Sequence, residues 1–184
     1  QLPLSISDSQ LGADHPAPAT SLNLFAILYE PQGRYSVSER LYPRSLAISE
    51  SQLGADHPAT ATSLNNLAGL YRSQGRYSES EPLYQRSLAI RESQLGADHP
   101  DTATSLNNLA VLYYNQGRLG ESERYIGQAV VILLQALGQN HPNTQSAIQS
   151  LASIIAAAIE QGRTADLSDY PLTQQILQQL QSDN

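Results

Sequence analysis

The sequence predicts an all-α fold, a right-handed α-solenoid of helix-turn-helix repeats that ends in a C-terminal capping helix. Two observations lead to this prediction. The chain aligns with itself at an offset of 42 residues, and residues 53–68 differ from residues 95–110 at one position. Within each copy, apolar residues recur at the spacing of a helix face. Repeats of roughly 20–50 residues are typical of solenoids and related arrays.

Each repeat contains two predicted helices. Apolar residues of the first helix recur at positions i, i+3, i+4 and i+7, namely Leu64, Leu67, Ala68 and Tyr71. A second pattern with one apolar and one polar face covers residues 77–94. Gly75 lies between the two patterns and suits the left-handed residue that ends a helix. The unit is therefore a pair of helices joined by a tight turn.

The string LGADHP marks the start of each repeat, at residues 11–16, 53–58 and 95–100, and returns as LGQNHP at residues 137–142. It contains the four histidines of the chain, His15, His57, His99 and His141. A metal site or an acid–base pair is one interpretation. Helix layers of about 10 Å separate the loops of neighbouring repeats, so the four copies cannot converge on one ion.

A structural interpretation explains the same string residue by residue. Gly54 ends one helix, and Pro58 fits the first turn of the next. Asp56 or His57 lies where a side chain can accept a free backbone N–H. Asn140 replaces the Asp in the fourth copy, which a helix cap tolerates. We therefore expect no catalytic residue, metal or cofactor here.

The repeat resembles the tetratricopeptide repeat (TPR). The family pattern W-x2-L-G-x2-Y, followed by A-x3-F, appears here as Leu64, Leu67, Ala68 and Tyr71, then Ser80 and Tyr84. The 42-residue period and the string HPDTATSLNNLAVLYYNQGR are similar to the kinesin light chain variety, which bacteria, including cyanobacteria, also carry. HEAT and armadillo arrays have a similar period but lack the small residue between the Leu and Tyr of the first helix.

The resemblance covers the whole chain, which we divide as a single TPR array over residues 1–184. The predicted segments are the end of a preceding repeat helix at 1–10, repeats at 11–52, 53–94 and 95–136, an atypical fourth-repeat helix at 137–163 and a cap at 164–184. We expect Arg91 and Glu92 to be exposed. Leu133 and Leu134 replace them one repeat later and should be covered by the cap or by a second copy of the chain.

Composition limits the function classes. The net charge is −7, with ten Arg and no Lys, so the surface disfavours nucleic acid. The absence of Cys excludes thiol chemistry and cysteine-ligated zinc. The most apolar runs are about half of the ~20 residues that cross a bilayer. Neither a glycine elbow nor a phosphate loop is present. We expect a cytoplasmic protein without enzymatic activity, membrane span or cofactor.

The TPR resemblance implies a concave groove, lined by the first helices, in which Asn amides bind an extended peptide. The matching residues are Asn23, Asn65, Asn66, Asn107 and Asn108, and the same wall includes Arg72, Val111 and Tyr114. In a second interpretation, the asparagines only bond neighbouring helices to each other. The lack of Lys disfavours the carboxylate clamp of the co-chaperones.

The predicted function is a protein–protein interaction scaffold whose partner is a protein or peptide lying in the groove. The alternative is a structural spacer or self-association module of a larger multidomain protein, a homo-oligomer formed through exposed ends of the solenoid. A third, enzymatic interpretation would require a bound metal or cofactor.

Overall fold

A computed structural model describes residues 17–29 and 35–182. These residues form α1 (Ala17–Tyr29), α2 (Tyr35–Leu53), α3 (Pro58–Ser73), α4 (Tyr77–Leu95), α5 (Pro100–Asn115), α6 (Leu119–Leu137), α7 (Pro142–Glu160), a short 3-10 helix (Thr164–Asp166) and α8 (Pro171–Ser182). Since the described part contains no strand, the predicted all-α fold is confirmed. The expectations for residues 1–10 and His15 lie outside the described residues.

The histidine of each described LGADHP or LGQNHP copy caps the helix that follows it. Nδ1 of His99 accepts a hydrogen bond from the N–H of Asp101 at 3.1 Å. His57 and His141 make the same bond two residues ahead, at 3.1 and 3.2 Å. The backbone of each histidine is extended, as an N-cap requires. The structural interpretation is confirmed, with the histidine rather than the Asp as the capping residue.

The turns use glycine where the chain reverses. Gly75, between α3 and α4, has φ +74°, so the predicted left-handed residue is present. The N–H of Arg76 then bonds back to the carbonyl of Tyr71 at 2.9 Å. Gly96 has φ +101°, and its carbonyl accepts the Thr102 hydroxyl at 2.8 Å. Local hydrogen bonds thus fix both turns, the one between α3 and α4 and the one between α4 and α5.

The described residues form two compact units, one up to residue 90 and the other from residue 91 onwards. Within each unit, buried serines join the two helices of a pair. In the first unit, the Ser38 hydroxyl donates to the carbonyl of Ala26 at 2.9 Å. Ser45, Ser80 and Ser87 make the same type of bond, to Ala19, Ala68 and Ala61 at 2.7–2.8 Å. In the second unit, Ser122 donates to Ala110 at 2.7 Å. Small side chains on both helices permit this close approach.

Apolar side chains fill the interior of each unit separately. The first unit contains a cluster of Ala19, Leu22, Ala26, Leu41, Tyr42, Ile48, Leu67 and Leu70. Buried residues of the second unit include Leu109, Leu112, Ile126, Val130, Leu151 and Ile155. None of the described helices has the length and hydropathy of a membrane span.

The C-terminal cap is anchored to α6 through a buried carboxylate. Glu123 is fully buried and accepts hydrogen bonds from the Ser168 N–H at 3.1 Å and the Ser168 hydroxyl at 2.8 Å. It also accepts a hydrogen bond from the hydroxyl of Thr173, in the first turn of α8. Three donors from the cap therefore satisfy a charge that would otherwise be costly to bury.

The expected exposure of Arg91 is wrong. The residue is only 8% exposed, and its Nη1 donates to the carbonyl of Asp101 at 2.9 Å and to the Ser105 hydroxyl at 3.0 Å. Burial lowers the pKa of this guanidinium. The same register is occupied by Ser49 and Leu133, which are also buried, so the position faces inward in three successive repeats.

The His99 cap should contribute measurably to stability. Replacing His99 with Ala leaves the N–H of Asp101 without its acceptor, and we expect a loss of about 1 kcal/mol. His99→Asn, which can still accept the bond, should remain near the wild type. Urea denaturation followed by helical circular dichroism measures both variants. Equal unfolding midpoints for His99→Ala and wild type would contradict a capping role.

Candidate functional site

Two of the predicted groove residues line a cavity between α5 and α7, which we call the α5–α7 cavity. Val111 and Tyr114 lie one turn apart on α5, and the cavity beside them measures about 340 Å³. Ala110 and Ile126 contribute to its floor and are fully buried, and Ile154 of α7 is nearly so. The floor is therefore apolar, and Tyr114 stands exposed at its rim.

The α7 side of the cavity is polar and neutral. It presents Ser146, Gln149, Ser150 and Ser153. The hydroxyl of Ser150 donates to the Ser146 carbonyl, and that of Ser153 to the Gln149 carbonyl, both at 2.9 Å. The hydroxyl oxygens retain lone pairs, and the Gln149 amide offers both donors and an acceptor. Among the described residues, no charged side chain lines this cavity, so it can receive an apolar side chain of a ligand beside the ligand's polar backbone.

The remaining predicted residues of the second unit lie close by on α5. Asn107, Val111 and Tyr114 are spaced i, i+4 and i+7 and so share one helix face. Asn107 and Asn108 are half-buried and do not line the cavity itself. Asn107 extends the same face by one turn towards the start of α5.

In the first unit, Asn23 bonds a neighbouring helix. Asn23 is buried, and its Nδ2 donates to the hydroxyl of Ser63 on α3 at 3.0 Å. This bond between helices matches the second interpretation of the asparagines. Asn65 and Asn66 are half-buried on α3, and Arg72 is half-buried in its last turn. The structure thus brings Val111 and Tyr114 to a cavity and ties Asn23 to a neighbouring helix.

A model of the tetratricopeptide repeat matches residues 26–93 and 65–135, which together span more than half of the chain. The chain belongs to the TPR family. TPR repeats mediate protein–protein interactions, and proteins with the kinesin light chain-like TPR fold are typically non-catalytic scaffolds. A comparison with curated protein sequences finds no significant match.

Several solved TPR structures are similar to this one. A putative kinesin light chain from Podospora anserina with nearly identical TPR-like repeats, in a point-variant form, has a TM-score of 0.73 at 25% identity, over 97% of this chain and 80% of that one. Another structure of the Podospora protein has a TM-score of 0.71 at 23% identity, over 97% of this chain and 82% of that one. BtubC (BKLC) from P. vanneervenii gives 0.70 at 23% identity, over 89% of this chain and 64% of that one. This chain therefore spans less than two thirds of BtubC.

The contribution of α7 to the cavity was missed by the sequence analysis. Gln149 lies 42 residues after Asn107, and Ser150 lies 42 residues after Asn108. Asn23, Asn65, Asn107 and Gln149 therefore occupy one repeat position, and each of them carries a side-chain amide. Alignment of α7 in this register would have found the polar wall of the cavity.

The described His, Asp and Glu residues do not gather into a metal centre. Among the residues that the structure describes, no group of three or more His, Asp or Glu side chains could hold an ion. The three capping histidines use Nδ1 on the backbone of their own helices.

Proposed function

We propose that this TPR protein is a non-catalytic scaffold that holds an extended segment of a partner protein in the α5–α7 cavity. The observation that carries the proposal is the placement of Val111 and Tyr114, two residues of the expected groove, around an apolar floor with a polar opposite wall. An exposed tyrosine beside a pocket is a common anchor of protein interfaces.

The chemistry of the walls defines the segment that fits. An apolar ligand side chain would contact Ile126 and Ile154, while the Gln149 amide bonds the ligand backbone. Because the described lining residues are all uncharged, none of them selects an acidic or a basic motif. The volume of about 340 Å³ lies at the small end of ligand pockets and suits one or two side chains. The net charge of −7 favours a protein over a nucleic acid as partner.

Replacing Tyr114 with Ala tests this proposal. A peptide selected from a random library on the wild-type protein should bind the variant about tenfold more weakly, because an aromatic anchor is lost. Isothermal titration calorimetry measures the affinities. Tyr35→Ala is the matched control, since Tyr35 is 42% exposed and Tyr114 is 43% exposed. Unchanged affinity for Tyr114→Ala, or an equal loss for the control, would refute the assigned site.

One observation favours self-association as a second function. On α1, Leu24 and Leu28 are 62% and 60% exposed, and Ile27 lies on the same helix face. Exposed apolar patches of this kind mark interaction surfaces. Leu133, in contrast, is buried within the protein and is not available for contact with a second copy of the chain.

Self-association through α1 predicts that the molar mass rises with protein concentration. Static light scattering across a dilution series measures this mass. The double substitution Leu24→Glu and Leu28→Glu should keep the protein monomeric, whereas Val131→Glu, an exposed valine of α6, should not. A monomeric mass for the wild type at every concentration would exclude this second function.

A further inference from the structure

A larger cavity of about 560 Å³ lies in the second unit, beside α6 and the start of the cap. We call it the α6–cap cavity. Val131 and Tyr170 form part of its apolar wall, and both remain exposed. Its polar end contains Glu92 and Ala97, from the end of α4 and the turn that follows. None of its lining residues belongs to the α5–α7 cavity.

The preceding repeat shows what binds at the equivalent polar end. In the first unit, Nη1 of Arg86 lies 2.6 Å from Oε1 of Glu50. Nη2 of the same guanidinium donates to the carbonyl of Ala55 at 3.1 Å. A carboxylate and a turn carbonyl therefore hold one guanidinium between them.

The 42-residue register repeats the two acceptors but not the donor. Glu50 is followed by Glu92, and Ala55 by Ala97, whereas Arg86 is followed by Gln128. Gln128 is shorter and neutral, and it lines the α6–cap cavity in the place of the arginine.

The charge at this end is consequently unbalanced. Glu92 is exposed and has no ion-pair partner in the described part of the chain. Asp98 adds a second carboxylate, and the described lining residues include no arginine. An apolar wall beside two carboxylates suits a cation with an apolar stem. Arginine provides this, together with two N–H groups that reach two acceptors at once.

We propose that the α6–cap cavity binds an arginine side chain of a partner protein. Its guanidinium bonds the Glu92 carboxylate and the Ala97 carbonyl, as Arg86 bonds Glu50 and Ala55 one repeat earlier. Its methylene stem packs on Val131, and a neighbouring apolar residue of the partner contacts Tyr170. The site is independent of the α5–α7 cavity, so either can fail without the other.

The test uses protein labelled on its valine methyl groups and the peptide acetyl-Gly-Leu-Arg-Leu-Gly-amide. The arginine peptide should shift the Val131 methyl signals saturably in NMR titrations and leave Val37 unchanged. Peptides in which lysine or citrulline replaces the arginine should bind about fivefold more weakly. Lysine loses the hydrogen bonds to two acceptors at once, and citrulline loses the positive charge. Equal binding of the three peptides would overturn the proposal.

Variants locate the guanidinium. Glu92→Gln should weaken binding of the arginine peptide about fivefold. Glu160 is an exposed carboxylate at the end of α7, and Glu160→Gln should leave binding unchanged. In Gln128→Arg, the introduced guanidinium should itself bond Glu92 and the Ala97 carbonyl, which should abolish peptide binding. Gln128→Ala should bind the peptide like the wild type. Full binding to Gln128→Arg or to Glu92→Gln would refute the assigned site. Equally tight binding of free arginine amide would refute a protein segment as the occupant.

Discussion

The rest of the fold depends on one contact, the buried hydrogen bond from a serine of the second helix to an alanine carbonyl of the first. Ser122 and Ala110 make it in the second unit, and the two preceding repeats make it at the same register. The serine hydroxyl keeps its hydrogen-bond partner while small side chains bring the backbones together. This close contact fixes each helix pair, so that Val111 and Tyr114, which lie within about one turn of Ala110 on α5, face a defined cavity.

Repetition builds the framework, and departures from repetition create the candidate sites. Residues 53–68 and 95–110 are almost identical because they form equivalent helices and caps. The α5–α7 cavity arises where Ser153 takes the register of Val111 and so adds a polar wall. The α6–cap cavity arises where Gln128 takes the register of Arg86. A binding site in this chain is therefore best sought where one copy differs from the others.

The sequence predicted the features that depend on local patterns, including the helix pairs, the left-handed Gly75 and the caps at the LGADHP strings. It could not predict burial that depends on distant segments. Glu39, Glu81 and Glu123 share one register, yet the first is exposed, the second half-buried and the third fully buried, because only Glu123 meets the cap. The burial of Arg91 was not predicted for a similar reason, since its hydrogen-bond partners lie on the next helix. The predicted groove residues lie on α1, α3 and α5. Those of α7 were missed because the repeat pattern weakens there.

The central claim is that the α5–α7 cavity receives the partner segment. The valines of the chain, Val37, Val111, Val130 and Val131, report on different places, and of these only Val111 lines this cavity. A methyl-labelled sample titrated with the library-selected peptide tests the claim most directly. The account predicts that the Val111 signals move saturably while those of Val37 stay fixed. Saturable binding that leaves Val111 unchanged would contradict it.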